Sequence, residues 1–228
     1  MNPLEGVRPV DDLSGHFADE VQRAFAGRPG PRFVLVLSGG DTARTCYERL
    51  AERERIDWSV VDIYMGDERW VPADHADANQ RLVREALLDR VGPVGAFRPM
   101  PTDGTPADAA SAYGALVAEV VATIGIDLVH LGMGPDGHTA SLFPGSPTLA
   151  SDDLVVATAD PSGRNPHTRL TLTFAAIDQA RLALFTVGGA SKRPAIARLR
   201  RGEDLPAARV RARAVRWLVD DEAFEEAG

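Results

Sequence analysis

The sequence predicts an α/β fold: an open, largely parallel sheet flanked by helices, in a Rossmann-like three-layer architecture. Three observations carry that prediction. Short apolar runs alternate with segments of helical periodicity along the chain. The first run, Phe33-Val34-Leu35-Val36-Leu37, is apolar without interruption, as expected of a strand covered on both faces. Three of the runs end in polar, glycine-bearing segments, at 38–40, 66–69 and 132–138. Open α/β sheets bind their ligands beyond the carboxyl ends of the strands, so these distant segments are expected to converge.

Taken in order, residues 13–26 form a helix with Leu13, Phe17, Val21, Ala24 and Phe25 inward, stopped by Pro29-Gly30-Pro31. The strand 33–37 follows. Ala43, Cys46, Tyr47, Leu50 and Ala51 then recur at helical spacing. Val60 to Met65 is the next strand, residues 78–90 the next helix, and 92–105 a Pro/Gly-rich stretch read as a long surface loop. Residues 106–124 make the clearest helix, with Tyr113, Leu116, Val117, Val120, Val121 and Ile124 on one side. A strand at 127–131 leads into the third glycine-bearing segment. Further strands are expected at 154–158, 169–174, 182–187 and 214–219, and a helix at about 191–201. No repeat or linker divides the chain, so one domain over 1–228 is expected.

Composition narrows the function. With 228 residues and 44% hydrophobic content the chain can bury one sizeable core. A net charge of −8 excludes a broad basic face for nucleic acid. Any anionic ligand must then be held by a few local cations. The single cysteine, Cys46, rules out an intrachain disulfide and fits a cytoplasmic setting. The N-terminal residues lack the apolar core of a signal peptide, and no apolar run approaches a membrane span. The remaining expectation is a small-molecule protein with no nucleic-acid or membrane partner, a monomer rather than an oligomer.

One motif misleads. Gly132-Met133-Gly134-Pro135-Asp136-Gly137 fits the dinucleotide pattern GxGxxG letter for letter. That turn needs a helix directly after the glycines, and here Pro144, Gly145 and Pro147 interrupt any useful helix. Asp160, after the next strand, is one acid among many and adds weak support for a ribose site. The alternative is a loop built around His138, with Asp136 two residues away to orient the imidazole. Histidine titrates near neutrality and suits a general base.

Ser38-Gly39-Gly40-Asp41-Thr42 stands between a strand and a helix. Two glycines there allow a tight turn with outward N–H groups, and hydroxyls of Ser38 and Thr42 add donors, which makes a phosphate cradle. The spacing equally fits an ordinary turn capped by Asp41 or Thr42. Arg69, Arg169 and Lys192 each adjoin an element end; taken singly, each reads as a solvated surface charge. His130 reads as a packed strand residue and Cys46 as inert core. His75, near Asp74 and Asp77, lacks zinc spacing, so no metal is expected.

The chain resembles the 6-phosphogluconolactonase family, of the glucosamine-6-phosphate deaminase/ribose-phosphate isomerase-like fold, from about residue 13 to 224. The residues that carry the resemblance are Asp136 to Gly145 (DGHTASLFPG), Asp67 to Pro72 (DERWVP) with Asn79 and Leu87-Leu88-Asp89, Arg169 to Thr173, and Gly188 to Lys192. It departs at Asp41, where that family usually has serine; as a helix N-terminal residue Asp41 is expected to turn away. The resemblance implies hydrolysis of a phosphorylated sugar lactone, 6-phospho-D-glucono-1,5-lactone, in the oxidative pentose phosphate pathway, with no cofactor. It implies catalysis by His138, Asp136 and Arg69, and substrate binding by Ser38, Gly39, Gly40, Thr42, Asp67, Arg169 and Lys192. Two rivals stand beside it: a sugar-phosphate isomerase or deaminase with Asp67 as base, and a sugar-phosphate sensor without turnover.

Overall fold

A computed structural model describes residues 2–225. Six strands form a wholly parallel sheet: β1 (Phe33–Leu37), β2 (Val61–Met65), β4 (Ala96–Arg98), β5 (Leu128–Leu131), β8 (Leu182–Val187) and β9 (Val215–Val219). Their spatial order is β4-β2-β1-β5-β8-β9. The chain winds one way from β1 through β2 to β4 and the other way from β5 onward, so β1 and β5 flank a switch point. All five residues of β1 are buried, in keeping with its uninterrupted apolar run.

A second sheet departs from the single sheet expected. β3 (Asp67–Arg69), β7 (Arg169–Leu172) and β6 (Val155–Thr158) pair antiparallel in the order β3-β7-β6. Gly66 joins the two sheets: its N–H donates to Leu37 O at 2.7 Å, and its carbonyl accepts from Leu172 N at 2.8 Å. The chain therefore turns out of the parallel sheet directly after β2. Three residues are too few to show a period, which is why β3 reads as a strand end in the sequence.

The helices confirm the patterning with local shifts. α1 (Leu13–Ala26) opens on Asp12, whose carboxylate accepts from Gly15 N, and it buries Phe17, Val21 and Phe25. α2 is Asp41–Ala51. The expected helix at 78–90 is α3 (Asn79–Val83), a π-helical turn at Arg84–Leu88 and α4 (Asp89–Val91). The stretch read as a loop at 92–105 contains the edge strand β4, masked by its brevity and by Pro93 and Gly95. α5 (Pro106–Thr123) is capped by Thr105 and buries Tyr113, Val117 and Val120. Leu116 and Ile124 were expected inward but are each 39% exposed; Leu116 lies at the margin of the stripe and Ile124 is the C-cap residue. Tyr113 ties α5 to the sheet, its hydroxyl accepting from Met65 N and donating to Arg98 O. α6 (Phe174–Ile177) takes the end of the strand expected to run to 174. The helix expected at 191–201 is a 3-10 turn, Ala190–Lys192, continuing into α7 (Arg193–Arg200). α8 (Asp221–Phe224) follows β9. Among the described residues no helix is long and apolar enough to cross a membrane.

Candidate active site

A cleft of about 300 Å³ lies at the carboxyl ends of β1 and β5. Its walls bring together Ser38, Gly39, Gly40, Thr42, Asp67, Arg69, His138, Arg169 and Lys192, drawn from five separate stretches of chain. Of the expected site residues only Asp136 is not on the wall; it stands behind His138. Asn79, Ala140, Asn165 and Thr186 are among the other residues of the lining.

The loop after β5 is shaped around the imidazole. Nδ1 of His138 is 2.6 Å from Asp136 Oδ1, which also accepts the His138 N–H at 3.1 Å. Burial works against the charge on Asp136, but the hydrogen bond and charge of His138 outweigh it and hold its carboxyl below the usual range. With Asp136 ionised, the imidazole proton sits on Nδ1 and Nε2 keeps its lone pair. Nε2 has no hydrogen-bond partner among the described residues. The ring rests on Phe143, centroids 4.9 Å apart. Gly134 makes the close approach possible, since a Cβ there would lie 2.1 Å from His138 Cε1. The loop closes with Gly134 N to His138 O at 2.9 Å and Thr139 Oγ1 to Gly132 O at 2.9 Å. Ala140, on the cleft wall, is the one non-glycine residue with positive φ (47°) among those described; such strain gathers at functional sites. No helix follows the GxGxxG letters, only bends and a 3-10 turn at Pro147–Ala150, so the dinucleotide reading fails for lack of a helix N-terminus. Asp160 is occupied locally, accepting from Ser162 and Asn165 backbone and side chains.

The turn after β1 forms the opposite wall. Gly40 has φ 105° and ψ 164°, open only to glycine, and caps α2 with no side-chain hydrogen bond. Asp41, Thr42 and Ala43 line the cleft, and their N–H groups, at the positive end of the helix dipole, have no acceptor among the described residues. Ser38 departs from its expected role. Its hydroxyl donates to His130 O at 2.6 Å, so it has no proton left for a phosphate. Asp41 is exposed and lies on the cleft wall instead of facing away, near enough for its charge to act on Lys192.

Three cations face this turn. Arg169 is buried, and its Nε has no partner; its nearest carboxylate, Asp67 Oδ2, is 3.9 Å from Nη1. Burial pulls its guanidinium below its ordinary range, with Arg69 adding repulsion and Asp67 opposing it. Arg69 and Arg169 are directly opposed in the β3–β7 register. Arg69 gives one N–H to Asp77 O, while its Nε is buried and unpartnered. Lys192 is half-buried with no hydrogen-bond partner among the described residues; burial lowers its affinity for the proton, and Asp136 and Asp41 raise it.

Asp67 is fixed rather than free: Oδ2 accepts from Ser141 Oγ at 2.7 Å and Oδ1 from Asn79 Nδ2 at 3.1 Å. Asn79 was missed as a site residue, although it stood in the quoted pattern. It packs so closely that a Cβ on Gly39 would lie 1.7 Å from its Oδ1. Glu68 anchors that contact from below, accepting from the N–H groups of Arg69, Asn79 and Gln80 at 2.7–2.8 Å. Burial pushes its carboxyl up to about 7 against those three bonds. Nothing in a three-residue strand signals such an anchor beforehand.

Fold and cleft together define an α/β protein that sets a histidine–aspartate pair and three cations around unspent backbone donors at the switch point of a parallel sheet. The chain belongs to the family described as glucosamine-6-phosphate isomerases/6-phosphogluconolactonase, whose model matches residues 8–219. It is 38% identical over 205 residues to a 6-phosphogluconolactonase of Synechocystis sp., covering 84% of this chain and 83% of that one. It is 36% identical over 221 residues to a 6-phosphogluconolactonase of Mycobacterium leprae, covering 90% and 89%. A solved structure of a 6-phosphogluconolactonase from Thermotoga maritima superposes with a TM-score of 0.84 at 32% identity, covering 92% of this chain and 96% of that one.

Proposed function

We propose that this chain hydrolyses 6-phospho-D-glucono-1,5-lactone to 6-phosphogluconate, with His138 as the general base. The observation that carries the reading is the pairing of His138 Nδ1 with Asp136, which leaves Nε2 free in the same cleft as Lys192 and as Arg169, whose Nε has no partner. The kinship with lactonases supports the substrate.

Nε2 takes a proton from water as the oxygen attacks the lactone carbonyl. Asp136 stabilises the imidazolium that results. The tetrahedral oxyanion is met by Arg69. The bond between the former carbonyl carbon and the ring oxygen then breaks, and the imidazolium returns its proton to that oxygen. The product acid loses its own proton to solvent. General-base assistance of this kind is worth about 10²–10⁴ in rate. The phosphate is held by the backbone N–H groups at the start of α2, by Thr42, and by Lys192 and Arg169. That remote grip fixes where the carbonyl lies, so it serves rate as well as binding. The groups named are complete within a single chain, so the reading requires no second subunit, and the lone, buried Cys46 fits a reducing cytoplasm.

The direct test is lactone hydrolysis, corrected for spontaneous opening, by wild type and His138→Ala, beside ammonia release from glucosamine-6-phosphate. The expected result is hydrolysis by the wild type, loss of about 10²–10⁴ in the variant, and no ammonia. Near-normal turnover by His138→Ala refutes the base. Ammonia without hydrolysis selects a deaminase, and tight binding without turnover a sensor.

A further inference from the structure

We propose that Tyr47 and His130 are positioning residues, which hold the Ser38–Gly40 turn in its anion-binding shape from beneath. The proposal rests on the phosphate grip described above; neither side chain is assigned a part in the chemistry.

Tyr47, on α2, is fully buried, and its hydroxyl meets three groups: Ser38 N at 2.8 Å, Ser38 O at 2.9 Å and His130 Nδ1 at 2.7 Å. His130, on β5, is also fully buried, and its Nε2 is 2.8 Å from Thr186 Oγ1 on β8. Its ring lies 4.4 Å from that of Phe17.

The protons can be assigned by counting. Ser38 N–H can only donate, so it takes one lone pair of the Tyr47 oxygen. The phenol has one proton, which goes either to Ser38 O or to His130 Nδ1. If it goes to Nδ1, Ser38 O is left without a donor. If it goes to Ser38 O, then His130 donates Nδ1–H to the phenol and Thr186 donates its hydroxyl proton to Nε2. Only the second assignment satisfies every group, and buried polar groups are satisfied as a rule. Burial drives the His130 pKa down to about 3, so the ring stays neutral and this arrangement persists at ordinary pH.

The bonds then run one way: Thr186 to His130, His130 to Tyr47, Tyr47 to Ser38 O. Ser38 Oγ donates to His130 O and completes the lock between β1 and β5. The amide, the carbonyl and the hydroxyl of Ser38 are all used inside the protein. Ser38 is thus the fixed post of the turn, and the N–H groups that follow Gly39 and Gly40 hold their direction because Ser38 cannot rotate.

The test uses Tyr47→Phe, His130→Leu and His130→Asn, each first checked by thermal melting for a folded, cooperative protein. Affinity for 6-phosphogluconate and for inorganic phosphate is measured by calorimetry. The ratio of kcat/KM for phosphorylated over unphosphorylated gluconolactone is measured in parallel. Tyr47→Phe and His130→Leu are expected to weaken both anions, and to lower the ratio, by about ten- to a hundredfold, the usual effect of leaving buried groups unpaired. Hydrolysis of the unphosphorylated lactone should change little. His130→Asn retains an N–H in the position of Nδ1 and should recover most of the affinity. Equal losses on both lactones, or unchanged anion affinity in folded Tyr47→Phe and His130→Leu, overturn the proposal. If wild type binds the anions without hydrolysing either lactone, the catalytic reading fails, and the calorimetric comparison still decides the brace.

Discussion

A single methyl group at Gly134 should disable the histidine–aspartate pair. The Cβ of Gly134→Ala would stand 2.1 Å from His138 Cε1, 2.2 Å from Nδ1 and 2.7 Å from Asp136 Oδ1. Carbon atoms rest about 3.5–4.0 Å apart, so the ring must retreat by well over an ångström. The Nδ1–Oδ1 bond, 2.6 Å now, does not survive a shift of that size. A misplacement of about 1 Å can cost about 10² in rate, and losing the base altogether about 10²–10⁴. The backbone of Gly134 is not among those with positive φ, so alanine brings no dihedral strain. The stability cost is confined to overpacking, about 1–3 kcal/mol. Gly132→Ala is the control, because its Cβ meets no atom within 4 Å. The assay is kcat on the phosphorylated lactone, with thermal melts of both variants. Turnover within a few-fold of wild type in Gly134→Ala, or an equal kcat loss in Gly132→Ala, refutes the assignment of the pair.

Other outcomes follow from the walls of the cleft. Glu68 has its carboxyl raised from 4.5 to about 7, so its stabilising share is full below 4.5 and is lost as pH rises through about 7. Melting temperature against pH should therefore be flatter across that window in Glu68→Gln than in wild type, and an identical slope would remove Glu68 as its source. Asp41→Ser takes an exposed carboxylate from the neighbourhood of Lys192 and should lower KM by about two- to fivefold at low salt, with the gain fading as salt is added; a raised KM would give Asp41 a positive role. Arg169→Met replaces a buried, poorly paired cation with an apolar side chain. It leaves Asp67 buried with only its bonds from Ser141 and Asn79, so without ligand it should be destabilised by at most the roughly 3–5 kcal/mol that breaking a buried pair at one end costs, and it should lose most of the melting shift that phosphate confers. A variant that melts lower yet keeps that shift contradicts the placement of Arg169 in the anion grip.

The sequence made the main sheet legible because its strands are apolar on both faces and its turns carry glycine. The same signals found the segments that converge, and residue chemistry pointed to His138, whereas Arg69, Arg169 and Lys192 read singly as surface charges and took their roles from the family resemblance. What escaped was set by contacts between distant segments. β3 and β4 are three residues each and show no period. Strand character at 155–158 and 169–172 was visible, but antiparallel pairing depends on Gly66 diverting β3 toward β7. Ser38 looked like a phosphate donor because its hydroxyl is free on paper; only the arrival of β5 beside β1 reveals that His130 O takes the proton. Asn79 looked like one polar residue among several, since nothing local places it against Gly39.

The formal charge of the cleft does not explain how an acidic chain would hold a phosphate. Arg69, Arg169 and Lys192 are offset by Asp41 and Asp67 on the walls and by Asp136 behind them. Hydrogen-bond accounting separates the two sets. Asp67 accepts from Ser141 and Asn79, and Asp136 from His138, so the two inner carboxylates are already engaged, while Asp41 is exposed to water. The donors are not: Nε of both arginines is unpartnered, and α2 begins without a side-chain cap. The overall charge of −8 acts at distances where salt screens it within about 8–10 Å. Donor geometry acts at contact. A ligand that is itself rich in acceptors, as a sugar phosphate is, matches a site whose inner carboxylates are engaged and whose donors are not.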